Sequence, residues 1–370
     1  MCAWSAPKWH FTHKFKFLNK DIKMKMLSSV NQYNKLLLNV VLLLLSLAFT
    51  SCNYWHDDQQ GCEAHLRLQL VYDMNMKFAD AFAHEVKTVR LHAFNLAGKL
   101  VYSKIEPVDR ILADGGMNLD DLTPGTYDLQ VWAEGDLRHE ESYIYKGVDG
   151  EEGIGKSDIR DFKTLVNRED KKVNHDLTPL FHGMVKNADL TAVYGQIKTV
   201  TARLTKDTNH FKVVLQHLSG NNLNPDDFDF VITDSNGYLD YDNSLLADDE
   251  LIYPAWSKYA GKAGVTSSGA GEQTSVSVAV AELSTSRLVK GHDMRLRVYN
   301  HSTGKSIINI PLIDYALLVK GNYNKAMSDQ EYLDRQDTYD LVFFLDDEKK
   351  WLATSIYINS WRVVLSHADM

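Results

Sequence analysis

The sequence predicts an all-β protein organised as two β-sandwiches. Past residue 60 the apolar positions alternate in short runs and do not recur with the spacing of an amphipathic helix. Clusters of Gly, Pro, Asn and Asp separate these runs, as turns separate short strands. The chain beyond residue 51 suits two domains of about 100–200 residues each, and the number of strands fills two sandwiches.

Residues 1–51 are set apart from that fold. Lys35 precedes an apolar run from Leu36 to Phe49, interrupted by Asn39 and Ser46 and followed by Thr50, Ser51 and Cys52. The run falls short of the ~20 apolar residues that a helix needs to cross a bilayer, and it has the length of a secretory h-region. Lys23, Lys25 and Lys35 supply the positive flank, and translation is expected to begin at Met24 or Met26. A signal ending on cysteine resembles a bacterial lipoprotein signal, which makes Cys52 the acylated first residue. Phe49 and Ser51 stand where leucine and a smaller residue are commoner.

The charge balance narrows the classes of partner. The chain has 40 basic and 49 acidic residues. The first 51 residues hold seven lysines and one aspartate, leaving 33 and 48 and a net charge of −15. So acidic a chain has no footprint for nucleic acid and is repelled by anionic membrane surfaces. With Cys2 in the leader and Cys52 acylated, Cys62 is alone, so neither an internal disulfide nor a cysteine zinc site is expected.

The expected organisation is leader 1–51, linker 52–61, an N-terminal sandwich over 62–190 and a C-terminal one over 191–370. In the first sandwich, Ala64, Leu66, Leu68 and Leu70 alternate with His65, Arg67 and Gln69 as a half-buried strand. Phe78 and Phe82 suggest a helical turn between Met76 and Val86. Val89, Leu91 and Ala93 resume the strand pattern, and the turn Leu96 to Lys99 leads into Leu100 to Ile105. Thr123-Pro124-Gly125 opens the strand carrying Tyr127, Leu129, Val131 and Ala133. An acidic loop over Gly147 to Gly155 precedes a strand near Asp161 to Val166.

A second set of strands starts near Val193, with Ile197 to Leu204 and Phe211 to Leu218. Asn236-Gly237 reads as a type I′ hairpin turn between Asp229 to Thr233 and Tyr238 to Tyr241. Ser257 to Glu272, rich in Gly, Ser and Ala, reads as a mobile loop. Val276 to Val280 and Met294 to Val298 alternate as strands. Ser328 or Asp329 caps a short helix reaching Arg335, and strands at Leu341 to Leu345 and Ile356 to Leu365 close the chain.

Several of these segments resemble the fimbrillin-associated anchor proteins of Bacteroidales, the base subunits of type V pili. They are Asp73 to Phe82, Leu122 to Trp132, Leu177 to Gly183, Asp240 to Leu246, Asp329 to Arg335, Phe343 to Asp346 and Ile356 to Arg362. Together they span nearly the whole mature chain. The resemblance implies two tandem transthyretin-like, Greek-key β-sandwiches and a lipoprotein on the outer membrane, exposed at the cell surface. It further implies pilin subunits as partners, joined by β-strand complementation, with Asp57-Asp58 resembling a surface-export signal. The tail Leu365 to Met370 runs past the usual end of the family.

Strand addition satisfies the open N–H and C=O groups of a sheet edge, and both terminal strands are candidates for it. Leu66, Leu68 and Leu70 line or leave a groove in that reading. Tyr357, Trp361, Val363 and Leu365 share one face of a single last strand, with Ile356 and Ile358 on the other.

No catalytic constellation is visible: there is no Gly-x-Ser-x-Gly elbow, phosphate-cradling loop or His-Glu-x-x-His. The expectation is a non-enzymatic protein with no cofactor and no metal. The acidic pairs and triplets at Asp226, Asp240, Asp248 and Asp346 lack EF-hand spacing and read as solvated loops. His175, His182 and His217 read as structural histidines. Tyr253, Trp256 and Tyr259 are either core aromatics or a platform for glycan or host protein, the basis of an alternative adhesin reading.

Overall fold

The computed structural model describes residues 65–191, 195–266, 273–321, 324–352 and 355–364. Cys52, with the leader, the linker and Cys62, lies outside the described residues.

The first described strand is β1 (His65–Val71), and the helical turn α1 (Phe82–Glu85) leads to β2 (Thr88–Phe94). A turn with Gly98 at φ +77° returns the chain as β3 (Leu100–Pro107). Next come α2 (Val108–Ala113), β4 (Met117–Asn118), β5 (Gly125–Glu134), β6 (Tyr143–Tyr145) and α3 (Gly150–Gly153). Strands β7 (Thr164–Val166), β8 (Leu180–Leu190), β9 (Ile197–Arg203) and β10 (Thr205–Lys206) follow. Beyond Asp207 run β11 (Thr208–His217), β12 (Phe228–Asp234), β13 (Tyr238–Leu239), β14 (Leu251–Pro254) and β15 (Ser257–Thr266). Then come β16 (Gln273–Ser286), β17 (Arg295–Asn300), β18 (Ser306–Pro311), α4 (Leu312–Leu318) and α5 (Asp329–Arg335). The last strands are β19 (Thr338–Leu345), β20 (Ser355–Ile358) and β21 (Trp361–Val364).

The architecture is the expected all-β one. A three-stranded sheet, β4-β1-β9, and a five-stranded sheet, β10-β8-β5-β2-β3, share one core. A six-stranded sheet, β15-β16-β11-β19-β20-β21, and a four-stranded sheet, β14-β12-β17-β18, share another. A small sheet, β13-β7-β6, joins strands from both halves of the sequence. Residues 197–206, expected among the second set of strands, are hydrogen-bonded into the first. There β9 lies parallel to β1 and β10 antiparallel to β8.

The junction between the sandwiches is tied by groups from both sides. Lys206 Nζ bonds Glu85 at 3.0 Å and Asp337 at 2.6 Å. His182 Nε2 and Gln130 Nε2 both reach the Tyr241 carbonyl, at 3.0 and 2.9 Å. Arg335 donates to the Asp73 carbonyl at 2.9 Å and lies over the Phe78 ring.

Two local expectations are corrected, and a third, the helical turn between Met76 and Val86, is met by Phe82–Glu85 without Phe78. Asn236-Gly237 is not a hairpin turn, because β12 pairs with β14 and β17 while β13 pairs with β7. Asn236 is instead buried, bonding Tyr253 Oη at 2.7 Å and the Arg287 carbonyl at 3.0 Å. A Cβ at Gly237 would sit 2.3 Å from Leu251 Cδ1, so space explains this glycine. Residues 257–266 form a strand, not a loop, paired with β16 along its length. Gly261 suits that role, since a Cβ there would press Val278 and Val280 at 3.0 Å. Phe78 is 60% exposed at φ +52° and lies outside α1. Asn75 holds the preceding turn by accepting from the Lys77 N–H and donating to the Tyr72 and Ala79 carbonyls, which competes with helix formation.

Candidate functional site at the sheet edges

A sandwich exposes the hydrogen-bonding groups of its outer strands, and proteins blunt such edges with proline, lysine or short length. Most described edges here carry one of those devices. Strands β4 and β10 are two residues long, and β3, β14 and β18 end in Pro107, Pro254 and Pro311. Lys258 and Lys262 lie on β15, and β9 carries Lys198, whose Nζ bonds Asp189 at 2.8 Å. Strand β21, Trp-Arg-Val-Val, has neither proline nor lysine.

The edge is built by a tight hairpin. Asn359 and Ser360 adopt φ +48° and +69° between Ile358 and Trp361, as both central residues of a type I′ turn must. The turn is fastened to the head of β19: Asn359 N–H donates to the Asp340 carbonyl at 2.9 Å, and Asn359 Oδ1 accepts from the Asp340 N–H at 2.8 Å. The expected single strand from Ile356 to Leu365 is therefore two strands, and the faces change. Trp361 lies opposite Ile358 and Val363 opposite Ile356, whereas Tyr357 pairs with Arg362. Tyr357 and Trp361 do not share a face. The Asn-Ser pair was the available turn signal, masked by unbroken alternation on either side.

Trp361 is 61% exposed and stands at a groove of about 650 Å³. Met76, Leu318, Val319 and Tyr332 supply its apolar wall, and Arg362 and Lys320 flank it. Ser328 caps α5 by accepting from the Glu331 N–H at 3.0 Å, which sets the helix that carries Tyr332. Lys320 is bonded to Asp329 at 2.7 Å. On the opposite face of the sheet, Tyr357 packs edge-on to Phe344, with ring centres 5.9 Å apart. The groove walls come from segments far apart in sequence, which no local pattern could bring together.

Leu66, Leu68 and Leu70 are at most 2% exposed and belong to the first core, between β4 and β9. The aromatic trio is dispersed. Tyr253 is fully buried, Trp256 half-buried, and Tyr259 is 39% exposed with its hydroxyl on Glu282 at 2.8 Å.

The remaining polar clusters have local partners. Asp248 makes a two-pronged bond with Arg168, Asp227 bonds Lys349 at 2.7 Å, and Asp346 accepts two backbone N–H groups of its own turn. Among the described residues no group of three or more His, Cys, Asp or Glu is placed to hold a metal. Ser219 Oγ lies 2.9 Å from His217 Nδ1, but it donates directly to Asp347 at 2.6 Å. An activating relay would place the imidazole between hydroxyl and carboxylate. His92 and His182 are buried and held neutral, their values lowered to about 4 by desolvation.

The sequence model of the fimbrillin-A associated anchor proteins Mfa1 and Mfa2 matches residues 59–367. The chain belongs to this family. Membership places the chain at the cell surface or in the envelope, in association with fimbrial subunits. The anchor family member is similar to a candidate adhesin from Bacteroides thetaiotaomicron, at 32% identity and TM-score 0.71, covering 82% of this chain and 99% of the other. It is also similar to a candidate polysaccharide-binding protein of that organism, at 30% identity and TM-score 0.68, covering 83% and 100%. The fimbrial anchor protein Mfa2 of Porphyromonas gingivalis shares the fold, with TM-score 0.58 and 18% identity over 82% of this chain and 99% of that one. No curated protein sequence matches the chain.

Proposed function

We propose that this protein is an outer-membrane lipoprotein at the base of a fimbria, tethered through Cys52 and joined to a pilin by strand addition on β21. The observation that carries the reading is a proline-free edge, unpaired among the described residues, beside an apolar groove in a chain of the anchor family. In a two-residue hairpin, Ile358 with Trp361 and Ile356 with Val363 exchange their backbone bonds. Arg362 and Val364 therefore turn their N–H and C=O groups to the open side. An added strand satisfies them while an apolar side chain enters beside Trp361, Met76 and Tyr332.

The chemistry of the N-terminus complements this role. A net charge of −15 beyond residue 51 gives no attraction to an anionic surface, so attachment rests on acyl chains at ~0.8 kcal/mol per buried CH₂. Nothing in this function needs a reaction at the protein. A glycan-binding adhesin would need an aromatic platform, and the buried Tyr253 removes one member of the expected trio.

The test is crosslinking on intact cells, identifying by mass spectrometry what is joined to wild type and to Cys52→Ala and Arg362→Pro. Wild type is expected to yield a pilin, Cys52→Ala to shed fimbriae into the medium, and Arg362→Pro to lose the crosslink while remaining folded. If no pilin is recovered and the Cys52→Ala strain keeps its fimbriae, the reading fails and glycan binding becomes the function to test.

A further inference from the structure

Asp207 occupies the single position between β10 and β11, where the chain leaves the sheets of the first sandwich for those of the second. Its carboxyl group is fully buried, and its backbone N–H donates to the Leu180 carbonyl at 2.8 Å. Asp207 Oδ1 accepts from Asn243 Nδ2 at 2.8 Å. Asp207 Oδ2 has no partner, and neither does Asn243 Oδ1. These are the two remaining heteroatoms of two planar groups already joined on one side. Both are formal acceptors, so as a carboxylate and an amide they cannot satisfy each other.

The neighbouring charges offset a carboxylate here only in part. Arg287 Nε lies 3.7 Å from Asp207 Oδ1, but its donors are engaged elsewhere. Nε and Nη2 each bond Asp334 at 2.9 Å, and Nη1 donates to the Asn243 carbonyl at 2.6 Å. One guanidinium thus faces two carboxyl groups, and Asp334 holds it with both prongs. Lys206 is turned to Glu85 and Asp337. Tyr72 and Tyr143, the other titratable groups near Asp207, are kept neutral by burial. A buried charge without a counter-charge is the costlier arrangement.

We infer that Asp207 is a neutral carboxylic acid in the folded protein, donating its Oδ2 proton to Asn243 Oδ1 and closing an acid–amide ring at the crossing between the sandwiches. The proton comes from solvent as the chain folds. One hydrogen bond then satisfies both orphaned oxygens. The left-handed backbone of Asn243, at φ +68°, belongs to the turn that presents its amide to the ring.

Desolvation pushes the Asp207 carboxyl up to about 7, against the pull of Arg287 and the Asn243 amide. A carboxyl raised in the folded state contributes stability below its unfolded value of 3.8 and loses it as pH rises to about 7. Above that the contribution is constant. The ring is a proton-dependent clasp on the joint.

The decisive experiment compares the denaturant midpoints of the full chain and of Asp207→Asn from about pH 4.5 to about pH 8. Asparagine can close the same ring with two amides and carries no titrating proton. The variant is expected to gain on wild type by roughly tenfold in the folding equilibrium per pH unit until near pH 7, and then to run parallel. His92 and His182 titrate in both proteins and cancel in the difference. A difference that stays constant over the range, or that favours wild type increasingly as pH rises, overturns the inference. Should Asp207→Asn fail to fold, infrared spectra of wild type decide. A protonated-carboxyl band at about pH 6 that halves near pH 7 and is lost by about pH 8 supports the ring, and its absence at about pH 6 refutes it.

Discussion

The first and last described strands carry similar alternation yet end in opposite environments. Strand β1 lies between β4 and β9, with Leu66, Leu68 and Leu70 sunk in a core shared with β2 and β5. Among the described residues strand β21 has one neighbour, β20, and its Trp361 stands open at a groove. Alternation tells which face of a strand is apolar; it says nothing about how many partners flank it. A strand with two neighbours and a filled face holds the fold together, whereas one with a free side can still accept a partner.

The comparison breaks most sharply at Leu68. Leu68→Ala should cost about 4 kcal/mol, read as a lower midpoint in chemical denaturation, because the fully buried side chain leaves a cavity. An unchanged midpoint would mean that β1 is not held as a core strand.

Acid acts on the first sandwich through His92 and on the joint through His182. His92 and His182 are neutral with folded values lowered to about 4 from 6.5. Their contribution is therefore present above about 6.5 and lost as pH falls towards about 4, roughly 3 kcal/mol for each. Replacing either with glutamine should flatten the acid limb of a stability–pH curve, and an unaltered limb would rule out its part in acid unfolding.

Lys206→Ala sharpens the contrast at an intermediate level. It leaves Glu85 and Asp337 facing each other across the junction without their shared cation, at about 2 kcal/mol. Thermal unfolding should fall by several degrees, with the pilin crosslink retained in the folded population.

Trp361→Ala should be nearly silent in stability, below about 1 kcal/mol, since the ring is mostly exposed. Its effect should appear in the cell assay as a weaker pilin crosslink. Loss of stability with an intact crosslink would reverse the roles assigned to β1 and β21.

Much of the fold is legible in the sequence. The alternation of Leu66, Leu68 and Leu70, the turn at Gly98 and the Ser328 cap all follow from rules acting within a few residues. The failures also have local causes. At Asn236-Gly237 the residues that favour a hairpin serve burial and close packing instead. At Ser257 to Thr266 a composition typical of loops pairs as a strand, with Gly261 leaving the room that Val278 and Val280 fill.

The sequence by itself determined the all-β class, the buried face of strands such as β1 and the family, because side-chain parity and turn chemistry are written over short spans. Tertiary structure alone decided that β1 is central and β21 an edge, that Met76 and Tyr332 meet beside Trp361, and that Asp207 faces Asn243. The physical reason is separation along the chain. Strand order, groove walls and buried polar pairs come from residues tens to hundreds of positions apart, and their encounter is set by how whole sheets pack.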